Sequence, residues 1–296
     1  MRNLFSFAFL FAFAGLIITA CTPSESKKQA KSLEKPLFSD IKIDSIYPAG
    51  LEELQINSSG DTIFGFSYVA NGFGPHPTVV LLHGLPGNER NLDVGQHLRR
   101  KGFNVIFFDY RGSWGSQGRF TFENSLADTR AVIDFITDSA NRTRLRVDPK
   151  NIFLLGHSMG AGYALISGIQ DERVKGVIGI SVFNPYSIFR GNASTVNVMD
   201  IGTYVSKLGM LNTTPQQYLK GLLQNVESYN IEQLVADTKK PVLVIDEHDL
   251  NEYFGKYSKK KNFHYERWNT DHAFTDKRIA LSMRTERWLI ANTKRK

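Results

Sequence analysis

The chain has 296 residues, 42% hydrophobic and 22% charged, with a formal net charge of +7. That length and apolar share suffice for one sizeable α/β core and exclude a chain that is disordered throughout. Lys27, Lys28, Lys31, Lys35, Lys294, Arg295 and Lys296 place much of the positive charge at the two ends; no aromatic-interleaved basic stripe accompanies it, so nucleic acid is excluded as a partner and an anionic membrane surface preferred.

Arg2 precedes an apolar run, residues 4–20, that stops at Cys21, the only cysteine of the chain. This pattern predicts a secretory signal peptide over residues 1–20. Ile18-Thr19-Ala20-Cys21 resembles a bacterial lipobox, which implies cleavage before Cys21 and lipidation of its thiol. Several acyl chains on one cysteine would anchor the protein stably to a membrane of the bacterial envelope. The alternative, an uncleaved span, is disfavoured because the run is short for a bilayer. Residues 21–40 are rich in Ser, Lys, Glu and Gln and read as the lipidated cysteine with a solvated tether.

Strand-like runs at 51–56 and 62–69 flank a turn cluster at 57–61 and predict an antiparallel hairpin. From residue 78 onward, β-branched runs at 78–82, 104–108, 151–155, 174–180, 241–245 and 263–268 alternate with helical patterns. Those helices fall at 92–101, 122–136, directly after Ser158, and at 278–291. The alternation predicts an α/β fold with a mainly parallel central sheet flanked by helices. Its reactive site would lie beyond the carboxyl ends of the strands. Residues 184–237 break the alternation and predict a helical cap, with helices near 198–211 and 215–234, inserted between core segments 41–183 and 238–296. Thr214 and Pro215 mark a helix start. Phe183, Tyr186, Phe189, Met199, Tyr204, Leu208 and Met210 either line a pocket or pack the cap onto the core.

Gly156-His157-Ser158-Met159-Gly160 follows the apolar run 151–155 and precedes an apolar helical stretch. This is the pattern of a nucleophile elbow, in which small neighbours let a serine sit on a sharp strand-to-helix turn. A serine needs a base, and the base needs an acid to fix its tautomer. His272, between the last strand and the last helix, is the predicted base; His97 and His264 are expected at the surface. The run Asp246-Glu247-His248-Asp249 offers three carboxylates. Asp249 is preferred because it has room to turn toward His272, with Asp246 as the alternative and Glu247 third. Backbone amides of Met159 and of Leu85, in His83-Gly84-Leu85-Pro86-Gly87, are predicted to hold the oxyanion. No metal-ligand cluster or phosphate-binding loop is evident, and the chemistry requires no cofactor.

His83-Gly84-Leu85-Pro86-Gly87, Gly156-His157-Ser158-Met159-Gly160 and Asp271-His272-Ala273-Phe274 together resemble the α/β-hydrolase superfamily over residues 78–292. The loop from Asp109 to Ser116 is similar to one in small esterases and prolyl-oligopeptidase-type peptidases. The resemblance implies a scaffold role for that loop, with Asp109 and Arg111 bracing each other and Trp114 walling the pocket alongside His157 and Phe183. The acid region departs from the family pattern, since Glu247 occupies the place of a usual glycine. No propeller precedes the core, which weighs against a size-gated oligopeptidase. The resemblance implies a Ser-His-Asp hydrolase acting on a small-molecule carboxylic ester through an acyl-enzyme. An aminopeptidase or amidase acting on a peptide is the alternative, and a non-catalytic binding protein on the same fold is a third reading.

Overall fold

Two strands, β1 (Gly50–Ser58) and β2 (Asp61–Val69), pair antiparallel from Gly50 opposite Val69 to Ser58 opposite Asp61. Ser59 and Gly60 close the hairpin with φ of 54° and 92°, the left-handed pair that suits the twist of a two-residue turn. The computed structural model describes residues 41–190 and 194–293, and the fold belongs to the unit Ile43–Lys296. The predicted signal peptide, Cys21 and the tether lie outside the described residues.

Six further strands follow: β3 (His76–Leu82), β4 (Asn104–Phe108), β5 (Val147–His157), β6 (Val174–Ile180), β7 (Val242–Asp246) and β8 (Phe263–Arg267). They join the hairpin in one sheet of order β1-β2-β4-β3-β5-β6-β7-β8. Pairing is parallel from β4 through β8 and antiparallel at the hairpin and its junction with β4. Every residue of β4 and β7 is buried, as expected of strands covered on both faces.

On one face lie α1 (Leu92–Arg100) and α9 (Arg278–Asn292), packed around Val94, Leu98, Leu281, Trp288 and Leu289. On the other lie α2 (Phe122–Thr137) and α4 (Met159–Gln170). The short α3 (Ser139–Arg144), absent from the sequence-based expectation, is capped by Asp138, which accepts the amides of Ala140 and Asn141. His97, expected at the surface, is buried on α1 and hydrogen-bonded to Glu286 of α9 at 2.6 Å.

Between β6 and β7 come α5 (Pro185–Phe189), α6 (Ser194–Val205), α7 (Pro215–Gln224) and α8 (Ile231–Asp237). Thr214 caps α7 by accepting the Gln217 amide. The single helix expected over 215–234 is divided, because the chain leaves the helical path at Asn225 and Asn230 starts a new helix by accepting the Gln233 amide. Tyr218 stacks on Phe120 and Tyr229 packs on Phe122, so the insertion is tied to the core by aromatic contacts. Phe189 is buried in that packing, whereas Met199, Tyr204 and Met210 remain exposed. No helix of the described residues is long and apolar enough to cross a membrane.

Candidate active site

Strand β5 ends at His157 and α4 begins at Met159, leaving Ser158 alone at the turn with φ 56° and ψ −121°. An L-residue seldom adopts this conformation, and it persists only where the surroundings over-determine it. Here the Ser158 amide donates to Ile180 O (2.8 Å), and its carbonyl accepts from Ala161 (3.0 Å) and Phe183 (3.2 Å). Gly156 and Gly160 make the turn possible: a Cβ on Gly160 would lie 2.1 Å from Leu82 O, and one on Gly156 2.0 Å from Gly160 O. The Met159 amide, at the first helical position, has no preceding intrahelical carbonyl to meet and is left for an outside acceptor.

The loop His83–Gly87 lies against this turn, since a Cβ on Gly84 would come within 2.9 Å of Ser158 Cβ. Side chains fix the loop from several directions. His83 Nδ1–H donates to Gly84 O (2.8 Å), Tyr110 OH to His83 O (3.3 Å) and Trp114 Nε1–H to Pro86 O (2.7 Å). Trp114, expected to wall a pocket, thus also holds the loop carrying Leu85, and the Arg90 guanidinium lies over its ring. Phe183 is half-buried, its carbonyl against Gly162 and its ring near Phe189.

His272 sits on the loop between β8 and α9. Its Nδ1 lies 2.7 Å from Glu247 Oε1 and 2.8 Å from Ser181 Oγ, while Ser181 Oγ lies 2.9 Å from the same Oε1. An ionised carboxylate only accepts, so Nδ1 carries a proton, and in the neutral imidazole the lone pair is then on Nε2. Burial alone would raise the Glu247 carboxyl. Hydrogen bonds from His272, its own backbone amide and Ser181 outweigh that and hold it at about 2, so it stays ionised.

The carboxylate at His272 is therefore Glu247, not the preferred Asp249 or its alternative Asp246. Asp249 is exposed in the turn beyond, where its carbonyl receives the Glu252 amide. Asp246 is buried and turned the other way, accepting Val182 N–H (2.7 Å) and Asn251 Nδ2–H (3.1 Å). Successive side chains of a strand leave on opposite sides, so the residue after Asp246 projects toward the loop of His272, and the longer glutamate spans the gap. Ser181, directly after β6, escaped the sequence reading. Its position at the carboxyl end of a parallel strand next to the nucleophile's strand is the signal that could have found it.

His157 is buried and donates Nε2–H to His272 O (2.8 Å), with the two rings 4.8 Å apart. Burial lowers its pKa to about 4, so it acts as a neutral strut beneath the His272 loop. Asp109 and Arg111 do not brace each other as expected. Arg111 turns to α2 and pairs with Asp128 (2.6 Å), while Asp109 meets Arg90 at 3.2 Å and lies 3.7 Å from His83 Nε2. Burial lifts the Asp109 carboxyl to about 6 and lowers His83 to about 4. Among the described residues, no group of three or more His, Cys, Asp or Glu is placed to hold a metal.

A strained serine follows β5 with an amide-bearing loop pressed against it, and a histidine held by a carboxylate lies beyond β7 and β8; His157, the residue before Ser158, links the two through its bond to His272 O. A family model described as the alpha/beta hydrolase fold matches residues 77–242, more than half of the chain. The chain belongs to the α/β-hydrolase fold family. The uncharacterized protein YfhR of Salmonella typhi is 25% identical over 244 residues, covering 75% of this chain and 82% of that protein. Among solved α/β structures, DcsB in complex with its substrate analogue superposes with a TM-score of 0.63 at 16% identity, covering 82% of this chain and 99% of that one. Est1E from Butyrivibrio proteoclasticus, with ferulic acid bound, gives 0.60 at 18% identity, covering 81% and 98%. At such identities the likeness concerns the hydrolase fold.

Proposed function

We propose that the protein is a serine hydrolase that cleaves a carboxylic ester of a small or medium acyl group through an acyl-enzyme. The observation that carries this reading is the 2.7 Å contact from His272 Nδ1 to Glu247 Oε1, which leaves Nε2 as a base on the loop beyond the sheet while Ser158 occupies the strained turn. In the proposed cycle Ser158 Oγ attacks the acyl carbon and His272 Nε2 takes its proton. The oxyanion is held by the Leu85 and Met159 amides, each contributing roughly 10²–10³ in rate. The imidazolium, balanced by Glu247, protonates the leaving alcohol; water then enters, gives its proton to Nε2 and frees the acid.

Solved esterases of the same fold support the ester over the amide. Arg111, in the loop whose resemblance pointed toward peptidases, is committed to Asp128 and is not available to a peptide terminus. The test is turnover of p-nitrophenyl esters of graded acyl length beside the matching anilides. Ester turnover abolished by Ser158→Ala supports the reading; anilide turnover alone would replace it with the amidase, and no turnover of either with the binding protein. We further propose that lipidated Cys21 anchors the exported enzyme to an envelope membrane. Cys21→Ala should move it from the membrane to the soluble fraction, and membrane retention with full signal cleavage would refute the anchor.

A further inference from the structure

We propose that Ser181 is a positioning residue of this site, its hydroxyl clamping Glu247 and His272 into a single productive arrangement. The inference rests on the serine-hydrolase reading and deepens it. Ser181 Oγ, Glu247 Oε1 and His272 Nδ1 form a closed triangle with edges of 2.7, 2.8 and 2.9 Å. Two protons serve its three edges, the Ser181 O–H and the His272 Nδ1–H. The carboxylate oxygen can only accept, so both protons converge on Oε1 and the Oγ–Nδ1 edge is a close approach enforced by that convergence.

The chain holds Ser181 in place at a cost. Its φ is 53°, a left-handed conformation uncommon for a residue with a Cβ. The residue is 1% exposed, and its amide donates to Ile245 O (2.8 Å), extending the β6–β7 pairing to the point where Glu247 leaves the sheet. One residue on, Val182 is fixed on both sides: its amide donates to Asp246 and its carbonyl accepts from Asn251. Glutamate has one more rotatable bond than aspartate, and the hydroxyl restrains that bond by fixing Oε1.

The clamp has an electrostatic consequence. A second donor on Oε1 drains charge from the oxygen that faces the imidazole, so removal of the hydroxyl would make Glu247 a stronger base toward Nδ1–H and the imidazole harder to deprotonate. The titratable and charged groups around the His272 loop include neutral His157, whose ring packs on the imidazole; Arg278, which donates to Ala273 O and pairs with Asp93; Asp271, which accepts the Thr275 amide; and Asp276, which accepts from Thr270 Oγ1. Among the described contacts none of these touches Ser181, so a change confined to Ser181 reports on the triangle.

The test compares wild type with Ser181→Ala and Ser181→Gly. Both delete the hydroxyl, whereas only glycine relieves the positive φ. Loss of one charge-assisted hydrogen bond predicts that kcat falls about 10- to 100-fold in both variants, with KM within about twofold. The acid limb of the kcat/KM profile should move up by roughly half to one pH unit. The downfield proton resonance of His272 Nδ1–H, assigned by its loss in His272→Gln, should shift and exchange faster with water in both. Equal kcat, an unmoved acid limb and an unmoved resonance would overturn the proposal, as would a glycine variant restored to wild-type kcat, which would trace the effect to the backbone. If wild type hydrolyses no ester while the resonance still responds to Ser181, the hydrolase reading fails and the clamp stands.

Discussion

Asp246 and Glu247 are neighbours at one strand end, yet they meet different fates. Asp246 is an internal brace: replacement by alanine leaves the Val182 amide without its acceptor and one N–H of the Asn251 Nδ2 group, whose other N–H bonds Val182 O, without a partner. Each such orphan costs about 1–3 kcal/mol, so Asp246→Ala should lower the denaturant midpoint sharply. Glu247→Gln keeps the shape but removes the charge that fixes the tautomer. It should lower kcat by about 10³-fold or more with a small change in stability, whereas Asp249→Asn should leave kcat within about twofold; steady-state kinetics on the three variants separates them. His83 and His157 both titrate near 4 when folded, against an ordinary 6.5. Depressed histidines favour the folded state above pH 6.5 and lose that contribution as pH falls toward 4, up to about 3 kcal/mol each. Asp109, raised to about 6, acts with the opposite sign, weakening the fold as pH rises from about 4 to 6. The two histidines outweigh it, so the melting temperature should fall on acidification from pH 6.5 to 4. His157→Gln, which preserves a donor to His272 O, should flatten that dependence by about one proton.

At the level of elements, the turn from β5 into α4 depends on the absence of side chains at Gly156 and Gly160. Gly160→Ala would drive a methyl group into the Leu82 carbonyl at 2.1 Å, separating the elbow from the loop that carries Leu85. It should abolish Ser158 reactivity and lower the melting temperature, and circular dichroism beside active-site labelling reads both. Thr214→Ala removes the cap of α7 and should cost about 1 kcal/mol with little effect on kcat. The elbow was legible in the sequence because its glycines are dictated by local sterics, and the inner strands such as β4 and β7 because their apolar runs are buried on both faces. The acid was not, because which of three adjacent carboxylates meets His272 depends on the strand's exit direction and on a loop some 25 residues away in sequence. The role of Ser181 was hidden for the same reason, since its partners come from two other segments and only its place at a strand end marks it. The break of the inserted helix at Asn225 depends on how Tyr218 and Tyr229 dock on separate aromatic residues of the core.

For the whole molecule, the sheet order places the ends of β3, β5, β6 and β7 side by side, so Leu85, Ser158, Ser181 and Glu247 gather at one edge although they span much of the chain. The loop after β8 then brings His272 to Ser181, Glu247 and His157. Such a site exists only when the central parallel strands are paired in register, so reactivity of Ser158 should disappear together with the global unfolding transition. The most direct test of the account is labelling of the purified protein with a fluorophosphonate, comparing wild type with Ser158→Ala, His272→Ala, Glu247→Gln and Asp249→Ala. Rapid labelling is expected of wild type and Asp249→Ala, none of Ser158→Ala, and strongly slowed labelling of His272→Ala and Glu247→Gln. A folded wild type that resists the probe, or labelling that survives in Ser158→Ala, would contradict it.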